Sequence, residues 1–89
     1  MTQYDSVYTK TVTCSTSNQV DNFPISANTV SIIADGDCFI NFDFPVTATE
    51  RFLIKSGEKS CFQNIMVSQL NFLAASGTPN IYILAYKKA

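Results

Sequence analysis

Histidine is absent from the 89 residues, and so is tryptophan. The first absence removes the usual general base of nucleophilic triads together with the commonest transition-metal ligand, so no catalytic, cofactor-binding or metal-binding residue is expected. Charge is scarce too: 15% of residues are charged, the net is −1, and the Lys and Arg residues are scattered apart from Lys87-Lys88. No basic stripe is available to neutralise a run of phosphates, which excludes nucleic acid as an expected partner. Gly57 and Gly77 stand singly, so there is no phosphate-cradling glycine loop. No apolar run approaches the ~20 residues of a membrane helix, and Met1-Thr2-Gln3-Tyr4-Asp5-Ser6 has neither the positive nor the apolar region of a secretory signal. The expectation is a soluble, non-enzymatic protein made in the cytosol, with no membrane partner.

Cysteine is present but in an uninformative pattern. Cys14, Cys38 and Cys61 are odd in number and widely spaced, with no C-x-x-C pair, which points to neither a disulfide framework nor a zinc site. Reduced, mostly buried thiols are expected, because free Cys behaves as a small apolar residue. No basic residue stands beside any of the three to activate a thiolate nucleophile.

Hydrophobic residues make up 46% of the chain, well away from the composition of disordered segments. Seven Phe, four Tyr and abundant Thr suit a pleated, half-buried surface. A chain this short holds one domain with a small core. The class is therefore all-β, and the expected architecture is a small antiparallel β-sandwich, jelly-roll-like, over residues 1–89, with 1–25 as an N-terminal strand or arm.

From Tyr4 to Cys14 a loose alternation places Tyr8, Val12 and Cys14 on one strand face, with Lys10 breaking the pattern. Ser15-Thr16-Ser17-Asn18 reads as a turn, and Val20, Phe23 and Ile25, interrupted by Pro24, as an edge strand or loop. Thr29–Ala34 and Cys38–Phe42 flank Asp35-Gly36-Asp37, the pattern of a β-hairpin. A three-residue loop pairs Ala34 with Cys38, Ile32 with Ile40 and Val30 with Phe42, leaving Ile33 and Phe39 outward on a face that something must cover. Arg51–Lys55 is a short strand closed by a turn in which Gly57 supplies positive φ. From Cys61 to Ala75 helical spacing competes with β-prone content; two strands separated by a short helical turn at Ser68–Asn71 are favoured. Ile81–Tyr86 is a last strand apolar on both faces, so the face carrying Tyr82, Leu84 and Tyr86 needs a covering segment or another subunit. Lys87-Lys88 reads as a solvated tail that blunts an edge.

Asp35, Asp37, Asn41 and Asp43 carry oxygen ligands suited to calcium, but their spacing matches no calcium loop. Bonding of the Asp side chains to nearby backbone amides is the expected role. Glu50 and Glu58 are isolated and are expected to be solvated or to stabilise turns. The Tyr and Phe residues lack flanking basic residues, which favours core and interface roles over base stacking.

Three segments carry a resemblance: Asp35-Gly36-Asp37-Cys38-Phe39-Ile40-Asn41-Phe42, then Phe52-Leu53-Ile54-Lys55-Ser56-Gly57-Glu58-Lys59-Ser60, then Leu70-Asn71-Phe72-Leu73-Ala74-Ala75-Ser76-Gly77-Thr78 leading into the last strand. Their order, over about two-thirds of the chain from Ser26 to Tyr86, resembles small β-sandwich structural domains in the virions of tailed bacteriophages. The resemblance implies capsid decoration or cement proteins, head-fibre bases, or parts of the neck and tail, with the major capsid protein or other virion proteins as partners and no catalytic residues to transfer. The three thiols and the segment before Ser26 depart from that pattern. With no fibre sequence after Ala89, a stand-alone decoration subunit is expected, located in the virion after assembly in the host cytoplasm and forming a homo-oligomer. Tyr4, Ile33, Phe39, Tyr82, Leu84 and Tyr86 are the expected interface residues. A carbohydrate-binding β-sandwich that stacks sugars on Tyr82 and Tyr86 is the alternative from another class.

Overall fold

The protein is described by a computed structural model covering the backbone of residues 4–88 and the side chains of residues 7–87. Strand-forming composition becomes six antiparallel strands: β1 (Tyr4–Thr13), β2 (Gln19–Ala34), β3 (Cys38–Phe42), β4 (Phe52–Ile54), β5 (Lys59–Ala74) and β6 (Asn80–Lys88). They form one sheet in the order β1-β6-β2-β5-β3-β4, and the class is all-β as expected.

The two 16-residue strands β2 and β5 give the sheet its shape. In β2 the inward residues are Phe23, Ile25 and Ala27, at odd positions, and then Val30, Ile32 and Ala34, at even ones. Because side chains alternate with period two, this switch requires extra residues, and the β2–β5 register shifts between Asn22 and Ala27 and again between Ala27 and Thr29. In β5 the parity changes twice, from Phe62 to Ile65 and Val67, then to Leu70, Phe72 and Ala74. Asn64 takes a φ of 58° at the first change. The second change is held by Asp43, whose Oδ1 accepts the N–H groups of Ser68 at 3.2 Å and Gln69 at 3.0 Å.

These irregularities let the sheet turn over on itself in a sandwich-like arrangement. One layer is β1, β6, the C-terminal part of β2 and the N-terminal part of β5; the other is the N-terminal part of β2, the C-terminal part of β5, β3 and β4. Contacts between strands that are not sheet neighbours show the layers meeting. Tyr8 of β1 donates to Asp21 Oδ2 at 2.9 Å and packs against Phe23, ring centroids 5.5 Å apart. Between the layers lie the fully buried Ile32, Ile40, Ile54, Leu70 and Ile81, with Cys14 and Cys38.

The expected faces for β1 and for Val30, Ile32, Ala34, Cys38 and Ile40 are found, but the hairpin is not. β2 and β3 are not paired: β5 lies between them. Asp35-Gly36-Asp37 carries the chain from one layer to the other, so these apolar residues meet across the core and not side by side. Gly36 is needed there because a Cβ would sit 2.8 Å from Cβ of Pro79. The helical turn at Ser68–Asn71 is likewise replaced by a bulge inside a continuous strand, because Leu70 and Asn71 pair with β3 on one side and Leu70 to Phe72 with β2 on the other, while Asp43 accepts the Ser68 and Gln69 N–H groups. Val20–Ile25 is the first part of the long β2, with Pro24 in the stretch where the β2–β5 ladder is interrupted. Lys87 and Lys88 belong to β6 and pair with β1, so they are not a tail beyond the sheet.

Candidate interaction surface

The outer face of the layer β1-β6-β2-β5 is built from residues whose neighbours across the strands are fixed by register. Three rows result: Thr11, Tyr82, Ile33 and Lys59; Thr9, Leu84, Ser31 and Cys61; and Val7, Tyr86, Thr29 and Gln63. Tyr82 is 44% exposed, Leu84 and Ile33 37% each, and Val7 59%. Tyr82, Leu84, Ile33 and Thr9 line a shallow depression of about 440 Å³ with Thr11 and Lys59 at its sides. Among the described residues nothing covers it. Four of the six expected interface residues, Ile33, Tyr82, Leu84 and the half-buried Tyr86, are thus brought onto one face. The side chain of Tyr4 lies outside the described residues.

Phe39 is on a different surface, which corrects its expected place beside Ile33. Since β3 belongs to the other layer, Phe39 pairs with Leu53 and Leu73 on that layer's outer face, and the Arg51 guanidinium carbon lies 4.0 Å from its ring centroid. The cation covers the ring instead of leaving it to a partner.

A second apolar surface was not anticipated from the sequence. Phe44, Phe52, Leu53 and Met66 are exposed, and Phe42, Phe52, Phe62 and Ile65 line a cleft of about 410 Å³ opening onto the core. Phe42 and Phe52 meet Phe62 edge-on, at 5.2 and 5.4 Å. The available signal was Phe52-Leu53-Ile54, a strand too short to hide apolar side chains on both its faces.

The Asp side chains do accept backbone amides, but from segments distant in sequence and not from their own turn as expected. Asp35 Oδ1 accepts the Asn80 N–H at 2.7 Å, and Asp37 Oδ1 accepts that of Ser56 at 2.9 Å. Among the described residues no three His, Cys, Asp or Glu side chains are grouped to hold a metal ion. Cys14 and Cys38 are buried and Cys61 is exposed, all three unpaired. Burial pushes the Cys14 thiol up to about 11 and that of Cys38 to about 12, the latter helped by the neighbouring Cys14 and Asp37. Tyr8 is also raised, first by burial and then by its bond to Asp21.

No protein-family model matches the chain. No match is found among curated proteins. No solved structure matches it either. Fold and surface define its class: a small all-β, sandwich-like domain whose outer sheet face carries apolar side chains left uncovered among the described residues.

Proposed function

We propose that this chain is a structural subunit of a tailed-bacteriophage virion, a capsid decoration protein that docks on the major capsid protein or another virion protein through the outer face of β1-β6-β2-β5. The observation carrying the docking role is the arrangement of Tyr82, Leu84, Ile33 and Val7 in adjoining rows on that face. Aromatic and aliphatic side chains already held by a sheet lose little entropy on association, and a flat apolar centre with Thr and Lys at its margin has the anatomy of a protein interface. The virion assignment rests on the resemblance, whose three segments form the arch at Gly36, the turn at Gly57 and the loop at Gly77 leading into β6.

Co-sedimentation with tailed-phage capsids lacking the decoration subunit tests this reading. Saturable binding is expected, and Leu84→Glu should weaken it by roughly thirtyfold, the equivalent of a ~2 kcal/mol hot spot. Labelling of the neck, tail or fibre base in place of the head would move the site on the particle. A chain that ignores every part of the particle defeats the proposal.

A saccharide-binding role is the second reading, favoured by a polar pocket of about 140 Å³ beside Tyr86, lined by Asn28, Thr29, Gln63 and Asn64. Amide side chains and an aromatic ring suit a sugar's hydroxyls and C–H face. A glycan array with no hit at millimolar affinity would remove it.

A further inference from the structure

Four phenylalanines, Phe42, Phe44, Phe52 and Phe62, line the cleft of about 410 Å³ where β3 ends and β4 begins, away from the outer face of β1-β6-β2-β5. Their placement follows from where the strands stop. Phe52 pairs with Ile40 as the first residue of β4, so no further strand residue of β4 shields its ring, which is 53% exposed. Asp43, at a φ of 64°, and Pro45 then carry the chain away from β5, and Phe44 is left 65% exposed. Phe42 and Phe52 stand at 78° and 84° to the Phe62 ring. A group seated among them therefore meets aromatic rings from more than one direction.

Two charged residues adjoin these rings, and the chain turns them apart. Arg51 borders the cleft, but its guanidinium carbon lies 4.0 Å from the centroid of Phe39, on the outer face of that layer. Glu50, one residue earlier, lines the cleft with Phe52. The Glu50 N–H donates to Thr47 Oγ1 at 2.9 Å and its carbonyl accepts the Thr47 N–H at 3.2 Å, which fixes the backbone that carries the carboxylate. Among the described residues that carboxylate accepts no hydrogen bond and forms no ion pair. The cleft thus joins several ring quadrupoles to one unpaired negative charge, with the adjacent cation engaged elsewhere.

We propose that the cleft binds a small quaternary ammonium compound, its trimethylammonium head seated among Phe42, Phe44, Phe52 and Phe62 with Glu50 as counter-ion. Ring faces attract a cation through their quadrupole, and the attraction grows as water is excluded. A trimethylated nitrogen suits this site better than a primary ammonium. It has no N–H to leave unsatisfied, whereas a primary ammonium would exchange its water for few acceptors among four hydrocarbon rings. Its methyl groups also bury apolar surface against those rings. The volume falls within the roughly 300–1,000 Å³ of small-ligand sites, so a short tail beyond the head is accommodated. This site is separate from the docking face proposed above, and its test is independent of that reading.

Calorimetric titration with choline, and with the neutral isostere in which carbon replaces the nitrogen, tests the proposal. Choline is expected to bind roughly three- to thirtyfold more tightly than the isostere. Phe44→Leu and Phe52→Leu keep an apolar wall at exposed positions while removing a ring, and each should weaken choline by roughly two- to fivefold with the isostere unaffected. Glu50→Gln should weaken choline by a similar factor, again without effect on the isostere. A folding defect would reduce both ligands together, and far-UV circular dichroism checks the fold. Phosphocholine and Nε-trimethyllysine carry the same head on different tails, and preference for one distinguishes a lipid-derived from a protein-derived source. Choline that does not bind at millimolar concentration overturns the proposal. So does equal affinity for choline and its isostere, which would mark an apolar cleft without cation selectivity, or choline binding indifferent to the Phe52 and Glu50 variants.

Discussion

Asn71 shows how one polar side chain holds the outer surface of the β3-bearing layer. It is 1% exposed, its Oδ1 accepts from Asn18 Nδ2 at 3.3 Å, and its Nδ2 donates to Gln69 Oε1 at 3.0 Å. Asn18 Oδ1 in turn accepts the Val46 N–H at 2.9 Å, while Gln69 Nε2 donates to Asn22 Oδ1 at 3.0 Å, so a chain of amides ties strands to the loop after β3. Asn71→Ala should destabilise the fold by about 1–3 kcal/mol, measured by urea unfolding, because it removes two bonds and strands their partners. The thiols provide a second residue-scale prediction. Cys14 and Cys38 are buried with raised pKa values, so at pH 8 Ellman's reagent should titrate only Cys61 in native protein and all three after unfolding. In the unfolded chain both buried thiols ionise near their ordinary value of 9.0, whereas in the folded chain they do so near 11 and 12. Folding thus holds their protons more tightly: their contribution is fully present below pH 9 and is lost as pH rises toward 12, which pH-dependent unfolding midpoints should show.

At the scale of elements, edges and crossings matter more than strand propensity. Lys10, which breaks the alternation of β1, puts a charge on that sheet edge, and Lys10→Val should raise aggregation at unchanged fold, followed by turbidity on gentle heating. The arch at Asp35-Gly36-Asp37 is limited by contact with Pro79, 2.8 Å from the position of an added Cβ. Gly36→Ala should therefore cost about 1–3 kcal/mol through displacement of the buried Pro79, read from the shift in thermal midpoint. The misread hairpin has the same origin. Asp-Gly between alternating apolar runs signals a reversal of direction, but a hairpin and an arch between layers both reverse the chain and both leave Ile32 and Ile40 inward. What separates them is whether another strand takes the hydrogen bonds between, and β5, far along the chain, does so.

At the scale of the whole molecule, the first strand pairs with the last, and β2 pairs with β5 and β6. Such non-local pairing requires loop closure before contacts form, so refolding in milliseconds to seconds is expected by stopped-flow fluorescence from tyrosine; a full-amplitude microsecond phase would contradict this topology. The all-β class, the turns at Ser15–Asn18 and Gly57, the inward faces of β1 and β6, and the outward Tyr82, Leu84 and Ile33 were legible in the sequence, because composition and period-two alternation act locally. The location of Phe39 and the cleft at Phe52 and Phe62 were not, because they depend on which distant strand lies alongside. The sequence by itself determined which side chains turn inward within each regular stretch, since a strand's pleat leaves no other choice. Tertiary structure alone decided the strand order, the β5 bulges at Asn64 and at Ser68–Gln69, and therefore which face stayed uncovered among the described residues: backbone hydrogen bonds in a sheet carry no label of sequence distance, so only the packing of all six strands together selects the partners.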